Sequence, residues 1–294
     1  MSQTIKEKFF PAILTFPLLF VIMLLVHTPE KETVKDKVTE HFLVQEKTKE
    51  KTTPKIETAK EFIFPEEKIK LFEYVQVVDS CDTNFKGACV NVRNAPTTNA
   101  PSVYKLRNGV ILRVKEKISA NGRDWYQIYF DEWLRYPERV KESLYVAADL
   151  VDPFLDEGLK VNTTASTTEN IKQIIIDIGE QMLYAYNGND LFVKEKVSTG
   201  LELTPTPRGV FTIYKKTPSR YMQGPIPGVS SHYYDLPGVP WNLYFSKEGA
   251  VIHGAYWHTS FGKQWSNGCV NLPIATAEKI YKWADVGTKV VVRD

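Results

Sequence analysis

The first patterned stretch of the chain is uniformly apolar: FFPAILTFPLLFVIMLLV, residues 9–26, carries no charge and follows Lys6 and Lys8. As a helix it would rise about 27 Å, close to the hydrocarbon thickness of a bilayer. It ends in Leu24, Leu25, Val26 and His27, with neither an A-x-A cleavage pattern nor a cysteine to lipidate. Residues 1–28 therefore predict a membrane anchor, with a cleaved signal as the alternative. Residues 29–70 hold ten Lys and ten Asp or Glu among very few aromatics. Mixed charge at that density buries too little surface to offset ordering, which predicts a solvated tether.

From residue 71 the period falls to two. EYVQVVD, VILRVKEKI, WYQIYF and YVAADLV read as strands, and Asn108-Gly109 and Asn121-Gly122 between such runs are hairpin signals. Several short strands within residues 71–153 predict a small barrel. DEWLRYPERVKES, residues 131–143, interrupts them as an inserted loop or turn. The polar, Thr-rich residues 154–170 read as a linker. Residues 171–294 follow as a second domain. KQIIIDIGEQMLYAYNGNDLFVKEKVSTG predicts two strands around Asn187-Gly188, and GVFTIYKK, WNLYF, GAVIHGAYW and KVVVRD add more. After Pro273, Ala277, Ile280, Tyr281 and Ala284 recur at i, i+3, i+4 and i+7, one face of a helix that Gly287 stops. The fold class is mainly β with one helix.

Composition narrows the functional classes. Among 294 residues, 37 Lys plus Arg against 35 Asp plus Glu leave a net charge of +2, with no basic footprint for nucleic acid. A 43% hydrophobic content excludes global disorder. Three cysteines are too few for a disulfide scaffold, and the odd number leaves at least one unpaired within the chain. Cys81 and Cys89, eight apart in DSCDTNFKGAC, predict a disulfide in an oxidising compartment, with two free thiols as the alternative. No further Cys or His stands near them at ligand spacing, so no metal site is expected. CVNVRNAPTTNAPSVYKLRNGVILRV and WYQIYF resemble the bacterial Src-homology-3-like domain, which implies a small barrel associated with the cell wall.

The third cysteine carries the chemistry. Cys269 stands in WSNGCVNL, and His253 lies sixteen residues upstream in VIHGAYWH. A thiol needs a base near neutral pH, and imidazole is the usual one. Gly268 beside the thiol allows close backbone approach, so that amides can face a developing oxyanion. A lone His or Cys is more often a packed core residue. The joint pattern is different: it resembles the L,D-transpeptidase (YkuD-like) catalytic domain. His253 matches that family's first His, and Ser266, Gly268, Cys269, Val270 and Asn271 match its second motif. VSTG at 197–200 and TPRG at 206–209 resemble its turns, and SRYMQGP at 219–225 the approach to its flap.

That resemblance implies Cys269 as nucleophile and His253 as base, without cofactor or metal. It implies that Asn267, Gly268, Gly254 and Ser266 support the site, with Gly254 orienting His253 through its carbonyl. Asn271, Tyr233, Tyr234 and His258 would bind substrate, with Tyr221 also near the flap. His258 could alternatively be a second base, and Arg208 could meet an anionic group or solvate a turn. The expected substrates are peptidoglycan stem peptides at the outer face of the cytoplasmic membrane. One position departs: Asn267 stands where the family has His. A hydrolytic L,D-carboxypeptidase and a wall-binding protein with lapsed catalysis are the rival readings.

Overall fold

The computed structural model describes residues 69–130, 132–140, 143–161 and 171–294. The apolar run 9–26, nearly all of the charged stretch and residues 162–170 of the expected linker lie outside the described residues. Among the described residues, no helix is long and apolar enough to cross a membrane.

The first part is a seven-stranded sheet of β1 (Phe72–Val77), β2 (Val90–Arg93), β3 (Ser102–Leu106), β4 (Ile111–Ala120), β5 (Arg123–Tyr129), β6 (Leu144–Ala147) and β7 (Val151–Asp156). The strand order is β3-β2-β6-β5-β4-β1-β7. Asn121 and Gly122, at φ 54° and 74°, make the two-residue turn between β4 and β5. Both residues tolerate the left-handed backbone whose twist matches a hairpin. Asn108-Gly109, expected to close another hairpin, does something else. β3 pairs with β2, and β4 with β1 and β5, so this turn joins strands that are not neighbours. Tertiary bonds hold it: Gly109 N–H donates to Val77 O at 2.8 Å and Asn108 N–H to Cys81 O at 3.1 Å. Cys81 and Cys89 are joined, with their Cα atoms 4.5 Å apart.

The second part has two five-stranded sheets. One runs β11-β10-β9-β17-β12, from β9 (Lys172–Asp177), β10 (Met182–Asn187), β11 (Asp190–Lys196), β12 (Gly209–Thr212) and β17 (Lys289–Arg293). The other runs β16-β15-β14-β13-β8, from β8 (Lys160–Val161), β13 (Lys215–Gln223), β14 (Asp235–Tyr244), β15 (Val251–Gly254) and β16 (Val270–Leu272). The segment read as two strands around Asn187-Gly188 holds three, because Gln181 takes φ 54° and turns β9 back onto β10. Helix α1 (Ile274–Trp283) follows Pro273 and buries Ala277, Ile280 and Tyr281, with Ala284 buried just beyond its end. Lys216 reaches that end, donating to Tyr281 O at 2.6 Å and Ala284 O at 2.8 Å. A cation there complements the negative end of the helix.

Residues 154–161, the described part of the expected linker, are mostly strand. β7 extends through Asp156 along β1, and β8 pairs with β13 of the second part. Nor are the two parts separate cores. Tyr74 and Ile111 of the first sheet join the cluster of Ile174, Leu243, Ile252 and Ile280. Val239 and Tyr256 of the second part join the cluster of Val75, Leu112 and Val146. Ser219 Oγ–H donates to Ile111 O at 2.6 Å across the same boundary. A further contact comes from the segment that reads as an insertion. Tyr136 N–H donates to Gln223 Oε1 at 2.9 Å, Tyr136 Oη–H to Pro225 O at 2.8 Å, and Arg139 Nη1–H to Gly224 O at 2.7 Å.

Candidate active site

β15 and β16 run parallel, with Ile252 opposite Val270 and His253 opposite Asn271. Side chains alternate across a strand, so Ile252, Val270 and Leu272 enter the core beneath α1. The same alternation puts His253 and Asn271 on the other face, and Cys269, one residue before β16, shares it. That face lines a cavity of about 800 Å³ whose wall includes His253, Cys269, Asn271, Trp257, Trp265 and Arg220. Gly254 lets the helix lie close: a Cβ there would sit 3.0 Å from Pro240 Cγ and 3.3 Å from Ile274 Cα.

His253 is fully buried, and its Nδ1 lies 3.0 Å from Gly254 O. A carbonyl only accepts, so Nδ1 carries the proton and Nε2 keeps its lone pair. Nε2 is buried and has no hydrogen-bond partner. Burial pushes the imidazole down to about 4, against the Gly254 carbonyl and with the help of Arg220 and His258. Burial also raises the Cys269 thiol, while Arg220 and a backbone bond from Val251 pull it down. Near neutral pH the resting pair is therefore a thiol and a neutral imidazole.

The loop before Cys269 is held from two sides. Ser266 N–H donates to Thr199 O at 3.0 Å, Leu201 N–H to Ser266 O at 2.9 Å, and Thr206 Oγ1–H to Gly268 O at 3.0 Å. VSTG and the Thr206 turn thus form the cradle of Cys269. Gly268 has φ 105°, which disfavours any side chain. Its N–H is turned to Ser266 Oγ at 3.2 Å, and the Ser266 hydroxyl in turn donates to Cys269 O. Gly268 and Ser266 accordingly shape the turn before Cys269. Asn267 itself lines the cavity.

His258 is engaged at both nitrogens. Nδ1 accepts from Ser260 N–H at 3.1 Å, so Nε2 carries the proton, and the Asn271 side-chain amide lies 2.9 Å from it. The amide atom facing that proton must be Oδ1, which leaves the Asn271 NH₂ as a donor. Neither nitrogen of His258 is free to act as a base. Tyr234 lines the cavity, with its hydroxyl pushed up to about 12 by burial and the nearby Cys269. Tyr233, its neighbour, is 63% exposed and stacks on Arg139 outside the cavity. Successive residues point to opposite sides, and the sequence did not show which side was inward. Tyr221 is buried, bonding Tyr104 and Asp235 between the two parts. Arg208 forms a bidentate pair with Asp294, away from the cavity.

Several wall residues had no signal in the sequence. Trp133 and Arg135 come from the inserted segment of the first sheet. Beside them Glu132 accepts the Tyr221 N–H. A bulge between Arg220 and Met222 interrupts the β13–β14 ladder at this point, and a carboxyl from another sheet supplies the acceptor. Burial drives Glu132 up to about 7, against the Tyr221 N–H, Arg220 and Lys215. Among the described residues, no group of three or more His, Cys, Asp or Glu could hold a metal ion.

Solved structures similar to the chain include a mutant L,D-transpeptidase from Enterococcus faecium, 24% identical over 41% of this chain and 49% of that one, TM-score 0.38. The chain thus spans about half the length of that protein. An L,D-transpeptidase from Mycobacterium smegmatis is 21% identical over 58% of this chain and 90% of that one, TM-score 0.41. The Enterococcus faecium catalytic domain acylated by ertapenem is 24% identical over 41% and 95%, TM-score 0.37. No curated protein matches the chain. The family model for YkuD, the L,D-transpeptidase catalytic domain, matches residues 171–292.

Proposed function

We propose that the protein is a peptidoglycan L,D-transpeptidase that joins stem peptides through a thioester on Cys269. One observation carries this reading: strand alternation sets His253 Nε2, unpartnered and deprotonated, on the same cavity face as the only free thiol among the described residues. As Sγ attacks the carbonyl of the third, L-centred stem residue, its proton passes to His253 Nε2. The C–S bond forms, and the carbonyl electrons move to oxygen, facing the Asn267 and Cys269 amides. Collapse breaks the C–N bond, and the imidazolium protonates the departing amine of the terminal D-amino acid. An acceptor amine from a second stem then attacks the thioester, gives its proton to His253 and expels the thiolate, which regains it. Because the resting pair is neutral, charge separates only while substrate is bound.

The test is product analysis of the full chain with a disaccharide tetrapeptide, alongside incubation with a carbapenem. Crosslinked dimer, release of one D-amino acid per crosslink and a stoichiometric carbapenem adduct on Cys269 are expected. Tripeptide without dimer makes the protein a carboxypeptidase. No adduct and no release leaves a binding protein whose catalysis lapsed at Asn267.

In the same reading, residues 9–26 anchor the chain and residues 71–294 face outward. In cells the protein should then stay in the membrane pellet after alkaline extraction, with Cys81 and Cys89 resistant to alkylation until reduced. Release into the supernatant, or two freely alkylated thiols, would contradict that placement.

A further inference from the structure

Arg220 is a charged wall residue that acts on Cys269 and that the dyad chemistry does not use. Its guanidinium lies over the Tyr244 ring, 5.3 Å from the centroid, and Tyr244 packs against Cys269. Its Nη1 is buried and has no hydrogen-bond partner. A buried charged donor left unpaired is costly, so the position calls for an acceptor that arrives with the ligand. Glu132 accepts the Tyr221 N–H and attracts Arg220 through its charge, yet it gives Nη1 no hydrogen bond.

The field of Arg220 acts on both members of the dyad. It favours the Cys269 thiolate, yet it disfavours the His253 imidazolium formed in the same step. The two effects oppose each other. A carboxylate on the substrate would feel the guanidinium without any such offset. The apolar wall around it, with Met222, Leu236, Trp257 and Trp265, weakens screening.

We propose that Arg220 is the specificity residue of the site: it binds the free terminal carboxylate of the donor, one residue beyond the carbonyl that Cys269 attacks. This rests on the acyl-transfer reading above. A donor ending at that residue presents its carboxylate to Arg220, whereas a donor extended or capped there presents a neutral amide. Arg220 thereby selects donors that end one residue after the scissile bond.

Two measurements on the full chain test this. The first needs no substrate. With Cys81 and Cys89 joined, Cys269 is the reactive thiol, and its alkylation rates by anionic iodoacetate and neutral iodoacetamide are compared. Arg220→Met should lower the iodoacetate-to-iodoacetamide ratio about tenfold while moving the iodoacetamide rate little, and Arg220→Lys should restore most of the ratio. The iodoacetamide rate also reports that the variant is folded. An unchanged ratio, or both rates falling together, overturns the proposal, the latter because Arg220 would then act on the thiol alone.

The second measurement compares a tetrapeptide donor with its C-terminal amide. Wild type should favour the free acid about tenfold or more in kcat/KM, mainly through KM, and Arg220→Met should remove the preference. A preference that survives in Arg220→Met overturns the assignment. If wild type acts on neither donor, the acyl-transfer reading fails, and the alkylation ratio still decides whether Arg220 is an anion site.

Discussion

Cys269→Ala is expected to remove crosslinking and the carbapenem adduct altogether, and His253→Ala to lower kcat/KM by about 10²–10⁴-fold, the span of a positioned general base. The reason is the neutral resting pair. Burial places the thiol above its ordinary value and the imidazole at about 4, so neither ionises alone near pH 7. For wild type the base form of His253 is present at every pH above about 4, and the thiol remains protonated through neutrality. The kcat/KM profile should therefore show an acid limb near pH 4, then a plateau across neutral pH. In His253→Ala the thiolate must form by loss of its proton to solvent, so activity should climb with pH and show no plateau. A profile identical in both proteins, or full activity in His253→Ala, sinks the assignment of the base. His258 could not inherit the role without rearrangement, since one of its nitrogens accepts from Ser260 and the other faces Asn271. Asn267→His should change turnover within about tenfold, or ~1.4 kcal/mol of barrier, because the backbone amide at 267 is kept in either case.

What could be read from the chain beforehand follows from how local each feature is. The face of α1 is set by side chains three and four apart, and the Asn121-Gly122 hairpin by two dihedral preferences, so both are written in adjacent residues. His253 and Cys269 are brought together by the resemblance of their motifs, since the parallel pairing of β15 with β16 that places them on one face is not written in either segment. Other features depend on register or on a distant partner. Tyr233 and Tyr234 are equivalent in sequence and differ only in which side of the chain faces the cavity. Arg220 lies in a segment that reads as a flap approach, and its place beside the nucleophile depends on strand pairing that no single segment specifies. Asn108-Gly109 has the composition of a hairpin turn, yet its backbone bonds go to Val77 and Cys81. The inserted residues 131–143 stand out as an interruption. Their contribution to the cavity wall depends on contacts with Gln223, Gly224 and Pro225, more than eighty residues away.

The joining of the two parts yields the second large effect. Gly238 of β14 holds φ 66°, and a Cβ there would lie 2.4 Å from Ile111 O and 2.6 Å from Val110 Cγ1 of the first sheet. Two costs combine in Gly238→Ala: about 1–2 kcal/mol for a left-handed residue with a side chain, and about 1–3 kcal/mol for overpacking against backbone that cannot turn aside. A loss of about 3 kcal/mol is expected, or a fall in Tm of roughly 6–12 °C for a protein of this size. Gly188→Ala is the matched control, since Gly188 has φ 62° and nothing within 4 Å of the added Cβ. It should show the dihedral cost alone. The difference between the two variants isolates the contact between the sheets. Because Trp133 and Arg135 reach the cavity from the first sheet, Gly238→Ala should also raise KM for the donor at temperatures where it remains folded, whereas Gly188→Ala should not. Equal losses of stability in the two variants would mean that the first sheet yields at Ile111. The close approach at Gly238 would then contribute nothing to holding the cavity wall in place.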